Sequence, residues 1–311
     1  MAKMATREAY GKALADLALR NPDVVALDAD LAGSTKTSEL KKVSPERHFD
    51  MGIAEGNMIG VAAGLSLNGK IPFASTFAVF PTGRAYDQIR NSVAYPHLNV
   101  KICATHAGIT VAEDGATHQM LEDLALMRVL PGMTVIQPCD SIETAACINA
   151  IAEFNGPCYV RLGRSAVEDV NVDPDYHFEI GKGVVLHEGT SPVTFFATGI
   201  MVQESLKALE QLKEHDVDPT IINIHTIKPL DEELVVKYAE KSELVVSLEE
   251  HNVMGGLGGA ISEVLARKCS KKQLFIGTED TFGESGKIPE LLDKYGLSSS
   301  KIVEKVLNEL K

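Results

Sequence analysis

The sequence predicts two successive, doubly wound α/β domains, each built around a mainly parallel sheet with helices on both faces. Three observations lead to this prediction. Short apolar runs alternate with segments of helical period along most of the chain, and this alternation is typical of βαβ units. The length of 311 residues favours about two domains rather than one. A polar and acidic stretch interrupts the alternation once and divides the chain.

The first domain is predicted over residues 1–165. It opens with an amphipathic helix that begins near Thr6, and apolar strands then alternate with helices. The predicted strands are VVALDAD (24–30), IPFAST (71–76), VKICATH (100–106), MTVIQP (133–138) and CYVRL (158–162). The predicted helices between them are EGNMIGVAAGLSL (55–67), TGRAYDQIRNSVAY (82–95), HQMLEDLALMRVL (118–130) and SIETAACINAIAEF (141–154).

A linker is predicted over residues 166–184, because this stretch contains Asp-Pro and has no helical period. The second, smaller α/β domain is predicted over residues 185–311. Its predicted strands are PVTFFAT (192–198), PTIINIHT (219–226), ELVVSLEEH (243–251) and QLFIGTED (273–280). Its predicted helices begin near Val202, Asp231, Leu257 and Ser298.

Composition and charge exclude several classes of function. A net charge of −13 disfavours nucleic acid and anionic membranes as partners, because both select clustered Lys and Arg. The N-terminal residues have scattered charges and no apolar leader, and no run approaches the ~18 apolar residues that span a bilayer. The five cysteines form no CxxC pair, which indicates free thiols in a reducing compartment. We therefore expect a cytoplasmic protein that is neither secreted nor membrane-embedded.

Polar side chains follow several of the predicted strands. Asp28 and Asp30 end the first strand, His106 ends the third, and Arg164 follows the last strand of the first domain. The carboxyl ends of parallel strands meet at one edge of the sheet, where open α/β sheets bind ligands. The sequence therefore predicts a ligand site at this edge.

Three stretches contain candidate chemistry, and each has an ordinary structural alternative. Glu55, in MGIAEGNMIG, lies in the first turn of an apolar helix, where a carboxylate often does no more than complement the helix dipole. Phe77 and Phe80, in STFAVF, could be core aromatics. THAGITVAEDGATHQ holds two histidines and two acids, but its spacing fits no standard zinc pattern and its glycines indicate a loop.

The same three stretches resemble motifs of thiamine diphosphate enzymes of the transketolase type. MGIAEGN is similar to the pyrimidine-domain motif shared by transketolases, deoxyxylulose-phosphate synthases and 2-oxoacid dehydrogenase β subunits. The resemblance implies that Glu55 shares a proton with N1′ of the cofactor's aminopyrimidine and so activates the thiazolium. It also implies that Phe80 is the main stacking ring, with Phe77 beside it. Gly83 replaces an aromatic residue of the family pattern.

EDGATHQ resembles the transketolase loop most closely. The resemblance implies that His118 acts as general acid and base near the reacting carbonyl, a role suited to imidazole. It also implies that Asp114 contacts a substrate hydroxyl. The residues implied to bind the sugar phosphate are spread along the first domain, and Arg among them is apt because its fork binds phosphate bidentately. They are Arg7, Ser34, His106 and Arg164.

Two further segments match the family pattern. Asp30, in DADLAGS, resembles the residue beside the thiazolium. LEEHNVMGGLGGAI and His225 resemble segments of the family's last domain that serve mostly in packing and dimer contact. The resemblance thus covers nearly the whole chain and corresponds to the second and third domains of a three-domain enzyme.

The Gly-Asp-Gly and Asn ligands that hold the diphosphate and its Mg2+ in the family have no counterpart in this sequence. The resemblance therefore implies that no metal ligand lies here and that an N-terminal subunit supplies the Mg2+ and diphosphate site in an α2β2 assembly. The implied activity is transfer of a two-carbon ketol unit from a ketose phosphate to an aldose phosphate. The alternatives are a β subunit of a 2-oxoacid or acetoin dehydrogenase, half of a deoxyxylulose-phosphate synthase, a relative acting on an unusual sugar phosphate, and a non-catalytic scaffold subunit.

Overall fold

A seven-stranded sheet forms the centre of the N-terminal half of the molecule, in a computed structural model that describes residues 3–311. In spatial order it contains β12 (Thr226–Lys228), β6 (Thr134–Ile136), β7 (Cys158–Arg161), β5 (Lys101–Ala104), β4 (Ile71–Ser75), β2 (Val24–Asp28) and β3 (His48–Asp50). Neighbouring strands are parallel except for the edge pair of β12 with β6. The strands of the first 168 residues are β1 (Lys3–Ala5), β2 (Val24–Asp28), β3 (His48–Asp50), β4 (Ile71–Ser75), β5 (Lys101–Ala104), β6 (Thr134–Ile136), β7 (Cys158–Arg161) and β8 (Ala166–Glu168).

Helices cover this sheet on both faces. The α-helices are α1 (Thr6–Arg20), α2 (Ala32–Thr35), α3 (Ser38–Val43), α4 (Glu55–Leu67), α5 (Tyr86–Gln88), α6 (Asp123–Arg128) and α7 (Ser141–Glu153). Wider, π-type turns cover Phe80–Arg84 and Ile89–Ala94, and 3-10 turns cover Pro45–Arg47 and Ile109–Asp114.

The C-terminal half contains a second sheet of five strands in the order β14-β13-β10-β11-β9, parallel except where β9 pairs with β11. Its strands are β9 (Val184–His187), β10 (Val193–Ala197), β11 (Thr220–Asn223), β13 (Leu244–Asn252) and β14 (Lys272–Thr278). The strand β12 (Thr226–Lys228) comes from the same half of the chain but pairs at the edge of the first sheet. Its helices are α8 (Met201–Lys213), α9 (Glu232–Glu240), α10 (Leu257–Lys268), α11 (Ile288–Lys294) and α12 (Ser299–Glu309). The predicted fold class, two α/β domains with mainly parallel sheets, is confirmed.

Two predicted helices are shorter or wider than the sequence suggests. Across residues 82–95 much of the helix takes the wider π-type hydrogen-bonding pattern. Pro81 has no N–H to donate, and the Thr82 hydroxyl donates to the Ala78 carbonyl at 2.6 Å. The helix predicted over 118–130 begins only at Asp123. Its first residues use their backbone in tertiary contacts instead, since the carbonyls of Met120 and Leu121 accept from Gly108 N and Asn252 N.

The two halves pack through a continuous apolar core. One cluster of buried side chains includes Met58 and Ile102 from the first sheet region together with Phe196 and Val245 from the second. The stretch 166–184 follows this junction: β8 pairs with β1, and Phe178 is buried against His225 with ring centroids 4.3 Å apart. This contact area fixes the orientation of the second half relative to the first.

The cysteines are unpaired and mostly buried. All five cysteines are free, and four of them, Cys103, Cys139, Cys147 and Cys158, are buried. Within residues 3–311, the helices are too short or too polar to cross a membrane.

Candidate functional site

The carboxyl ends of four adjacent strands place the predicted site residues at one edge of the first sheet. β2 leads into the turn with Asp30 and Ser34, and β4 leads into Phe77 and Phe80. β5 leads into His106, and a backbone bridge between Phe77 and Thr105 extends its pairing with β4. β7 leads into Arg164. The parallel order of these strands is the reason why residues far apart in sequence lie together.

Glu55 is the first residue of α4 and is buried, with 5% of its surface exposed. Its carboxylate accepts a hydrogen bond from Arg84 Nη1 at 3.0 Å. The guanidinium carbon of Arg84 also lies 4.3 Å from the centroid of the Phe80 ring. A flat group that carries N–H donors is therefore held between the Phe80 face and the Glu55 carboxylate.

Four rings form one aromatic cluster beside this pair. Phe77 and Phe80 are nearly parallel, with centroids 5.9 Å apart and planes inclined by 14°. Phe77 stacks on His106 at 3.8 Å. The His118 ring presents its edge to Phe80 at 5.6 Å and to Phe77 at 6.2 Å. The predicted stacking residues and both loop histidines thus lie in one aromatic cluster.

Arg7 and His106 meet at the adjoining end of the cluster. Arg7 Nη1 donates to the Ser34 carbonyl at 2.8 Å and lies 3.4 Å from His106 Nε2. Because a guanidinium only donates, Nε2 is the acceptor, which places the imidazole proton on Nδ1 next to Thr105 Oγ1 at 2.8 Å. Ser34 therefore contacts the cluster through its backbone carbonyl.

The electrostatic field at His106 is positive. Burial lowers the pKa of His106 to about 3, and the positive charges of Arg7, Arg164 and Lys36 add to that effect. The pKa of Arg7 is also lowered, first by burial and then by Arg164. A neutral imidazole surrounded by cations favours an anionic ligand.

Arg164 is a second guanidinium near His106, and it lies close to Asp114. Arg164 Nη1 lies 3.8 Å from Asp114 Oδ1 and 3.7 Å from Glu113 Oε2, and it donates to the Val111 carbonyl. About a third of the Arg164 side chain (35%) is exposed. The guanidinium is thus partly paired and partly open to a ligand.

His118 is half-buried, and its Nδ1 lies 2.9 Å from the hydroxyl of Thr117. When Nδ1–H donates to that hydroxyl, Nε2 is left as an acceptor for a ligand. Asp30 occupies the exposed tip of the turn after β2, and its N–H donates to Asp50 Oδ1 at 3.0 Å. Asp28, expected at the ligand edge, is instead fully buried beneath the turn.

Asp28 holds the turn from below. Its carboxylate accepts from Thr35 Oγ1 at 2.6 Å and from Thr37 Oγ1 at 3.0 Å, and it also accepts from Leu31 N. Burial raises the pKa of Asp28, while these hydrogen bonds oppose the rise.

Three residues at the site have left-handed backbone conformations that non-glycine residues rarely adopt. They are Asp30 (φ 61°), His106 (φ 56°) and Ala112 (φ 68°). Such conformations cost about 1–3 kcal/mol each and persist where surrounding structure enforces them. Their concentration at this edge is typical of a functional site.

The sequence reasoning missed Arg84 and Thr105 as site residues. Arg84 follows Phe80 by one helical turn, and this spacing could have placed it over the ring. Thr105 precedes His106, but its contact with the imidazole depends on the positive φ of His106. Among residues 3–311, the structure holds no group of three or more metal-ligating side chains.

Comparison with known proteins gives one family for both halves. The family model described as transketolase, pyrimidine binding domain, matches residues 2–169, and transketolase, C-terminal domain, matches residues 181–302. A protein of Methanocaldococcus jannaschii, named provisionally as a transketolase C-terminal section, is 50% identical over 98% of this chain and 96% of its own length. The 6-deoxy-6-sulfo-D-fructose transketolase subunit SqwH of Clostridium sp. is 42% identical over 96% of this chain and 92% of its own.

One solved structure, described as "Split gene transketolase, inactive beta4 tetramer", is 52% identical to this chain. The two superpose with a TM-score of 0.90 over 98% of each chain.

Proposed function

Because this chain belongs to the transketolase family and matches its pyrimidine-binding and C-terminal domains, we propose that it transfers a two-carbon ketol unit from a ketose phosphate to an aldose phosphate as one subunit of a split transketolase. One observation carries the proposal. The Glu55–Arg84–Phe80 arrangement and the cations Arg7 and Arg164, which flank the neutral His106, lie on one sheet edge, joined by the Phe77–His106 stack. One side suits a flat heterocycle and the other a phosphate.

The residues present fit the aminopyrimidine of thiamine diphosphate. Arg84 is a natural stand-in, since its planar guanidinium lies on the Phe80 ring and donates an N–H to Glu55. An aminopyrimidine is likewise flat and can place a protonated nitrogen at a carboxylate. We assign Phe80 and Phe77 to stacking and Glu55 to holding that proton. When bound, thiamine diphosphate supplies the nucleophilic carbon that this reaction requires.

The substrate roles follow from charge and reach. We assign phosphate binding to Arg7 and Arg164. The Ser34 carbonyl accepts from Arg7, and His106 Nε2 lies beside the same guanidinium and orients it. His106 serves as a neutral hydrogen-bonding group there, since burial and the neighbouring cations lower its pKa to about 3.

His118 and Asp114 face the reacting end of the substrate. The Nε2 of His118 is left as an acceptor and transfers protons at the substrate oxygen. Asp114 accepts from a substrate hydroxyl, and Asp30 lies at the exposed edge of the cofactor side.

The metal and the diphosphate need ligands from a second polypeptide. We assign Mg2+ and the diphosphate to an N-terminal subunit in an α2β2 heterotetramer. Two apolar side chains at opposite ends of α4 are available for contact with another subunit, because Leu67 is 72% exposed and Ile53, just before the helix, is 74% exposed. The solved relative described as an inactive beta4 tetramer is consistent with a need for that second subunit.

We further propose domain limits of 1–165 and 185–311, with 166–184 as the linker. Free, mostly buried cysteines support a cytoplasmic location.

The substrates proposed are sugar phosphates of carbohydrate metabolism such as those of the pentose phosphate pathway. The name of the Clostridium relative, a 6-deoxy-6-sulfo-D-fructose transketolase subunit, favours a second candidate, in which the donor is an unusual anionic sugar. The alternative of a dehydrogenase β subunit does not explain the two cations, Arg7 and Arg164, beside His106.

The test is reconstitution. This chain and a candidate N-terminal subunit are co-expressed, and ketol transfer is assayed with thiamine diphosphate and Mg2+. We expect activity from the complex and none from either chain alone. Full activity from this chain alone would refute the split-subunit proposal, and a correctly assembled but inactive complex would refute the transferase proposal.

A further inference from the structure

Glu250 connects the second domain to the loop that joins the two site histidines. We call residues 106–118 the histidine loop. Glu250 lies in β13 and is buried, with 3% of its surface exposed. Its Oε1 accepts a hydrogen bond from Thr110 N at 2.6 Å, across 140 residues of sequence. A Cβ on Gly108 would come within 2.3 Å of the Glu250 carboxyl carbon, so the loop backbone lies directly on this carboxylate.

The histidine loop needs external support because its backbone is strained. His106, Gly108, Ala112 and Gly115 all have positive φ, and Ala112 combines φ 68° with ψ −116°. Residues 105–112 are buried, so an unpaired N–H in this stretch could not turn to water. Glu250 is therefore the group that satisfies the Thr110 amide and fixes the first half of the loop.

A second contact from the same domain fixes the other half. The side-chain nitrogen Nε2 of Gln119 donates to the Ile109 backbone carbonyl at 3.1 Å and to the Glu284 backbone carbonyl at 2.9 Å. A Cβ on Gly115 would lie 2.5 Å from Ser285 Oγ. The second domain thus supports both halves of the loop, and the contact through Glu250 adjoins Val111, whose carbonyl accepts from Arg164.

Arg164 is the site residue whose position depends on this part of the loop. Its Nη1 donates to the carbonyl of Val111, the residue after Thr110. The same guanidinium faces Asp114 at 3.8 Å, further along the loop. A shift of the Thr110–Val111 backbone would therefore carry the Arg164 acceptor with it.

Glu250 is itself held in place by a buried cation. Arg161 donates to the Glu250 backbone carbonyl at 3.0 Å and to Asp123 Oδ2 at 2.7 Å. Burial raises the pKa of Glu250, and Arg161 and the Thr110 hydrogen bond oppose that rise. Arg161 thus holds the Glu250 backbone, and the hydrogen bond from Thr110 N directs Oε1 at the loop.

From these contacts we infer that Glu250 is a positioning residue of the transferase site: it holds the histidine loop so that Arg164 meets the substrate phosphate. This inference rests on the proposed function. It assigns the Glu-Glu-His segment of the second domain a role at the substrate site, beyond the packing role that the sequence suggested.

The experiment uses the complex with its N-terminal subunit, thiamine diphosphate and Mg2+. Glu250→Ala and Glu250→Asp remove or retract the acceptor, whereas Glu250→Gln keeps an oxygen at the same reach. The matched control is Glu249→Ala. Glu249 is the adjacent buried glutamate, whose carboxylate accepts from Leu257 N and Gly258 N at the start of α10 and makes no contact with the histidine loop.

Kinetics are measured with a phosphorylated ketose donor and with a donor of the same configuration that lacks the phosphate. We expect Glu250→Ala and Glu250→Asp to raise KM for the phosphorylated donor by about tenfold or more, since small misplacements of a positioned group have effects of this order. KM for the unphosphorylated donor stays within about twofold, and Glu250→Gln stays near the wild type for both donors.

The outcomes separate the inference from the function on which it depends. Glu249→Ala should lower the unfolding temperature and leave the ratio of the two KM values unchanged. The inference is overturned by an unchanged KM in the Glu250 variants, or by equal changes for both donors. If Glu250→Ala does not fold, Glu250→Asp and Glu250→Gln are compared instead. The inference then requires that Glu250→Asp, but not Glu250→Gln, raises KM for the phosphorylated donor alone. An inactive wild-type complex would instead count against the proposed transferase.

Discussion

Glu143 joins three parts of the molecule and makes stability depend on pH in a predictable direction. It lies in the first turn of α7 and is fully buried. Its Oε2 accepts from Cys139 N at 2.7 Å, while Oε1 accepts from the hydroxyl of Tyr176 at 2.7 Å and from Asn223 Nδ2 at 2.8 Å. Tyr176 belongs to the proposed linker and Asn223 to the second sheet, so this carboxyl group connects the two halves of the molecule.

Burial raises the pKa of Glu143 from 4.5 to about 7, and the nearby Asp140 adds to the rise. Below pH 4.5 the group is protonated in both the folded and the unfolded chain. As pH rises toward 7 the unfolded chain loses this proton first, so the folded state loses stability relative to the unfolded state. Above pH 7 both forms are ionised and the change is complete. The full change amounts to about 3 kcal/mol for the rise from 4.5 to about 7.

The assay is denaturant unfolding of the wild type and Glu143→Gln between pH 4.5 and 8. The difference between them isolates Glu143, since His106 and other groups titrate equally in both. We expect the wild type to lose about 3 kcal/mol relative to the variant across this range. A Tyr176→Phe variant removes a donor to the carboxylate and should extend the loss to higher pH. Parallel stability curves for wild type and Glu143→Gln would refute the reasoning.

Three further predictions concern the candidate site. Arg164→Ala should raise KM for a phosphorylated sugar by about ten- to hundredfold, because a charge-assisted hydrogen bond to phosphate is lost, and an unchanged KM would refute its role. Burial and Arg7 lower the pKa of His106 to about 3, so the imidazole does not titrate between pH 5 and 8. KM measured over this range should therefore depend on pH in the same way in the wild type and in His106→Asn. Gly108→Ala should lower the unfolding temperature strongly, because φ is +82° and the new Cβ would meet the Glu250 carboxylate at 2.3 Å, and a thermal melt equal to wild type would contradict this.

Regular elements with strong periodicity were predictable from the sequence. The helix over Glu55–Leu67 has the predicted bounds, and the buried apolar strands β2, β4, β5 and β7 lie where the apolar runs are. Short edge strands were missed: β3 and β12 have only three residues each, too few for a periodic signal. β12 also pairs across the molecule with β6, a contact that local patterns do not encode.

The site was predictable where motifs carried it and unpredictable where it depends on long-range contacts. The parallel sheet brings Phe77, Phe80, His106 and His118 into one cluster. The family resemblance on which these positions were chosen is confirmed by the two transketolase domain matches. The contact of Glu250 with Thr110 spans 140 residues, and no local spacing signals it.

The most direct test of the proposed function is the rate of ketol transfer by the reconstituted complex that carries Glu55→Gln. Glu55 is buried at the start of α4, and Glu46→Gln, a change at an exposed carboxylate, is the control. If Glu55 holds a proton on the cofactor, its amide variant should lose about a hundredfold or more of kcat while still assembling, and the control should retain the wild-type rate. A Glu55→Gln complex with the full wild-type rate would contradict the account.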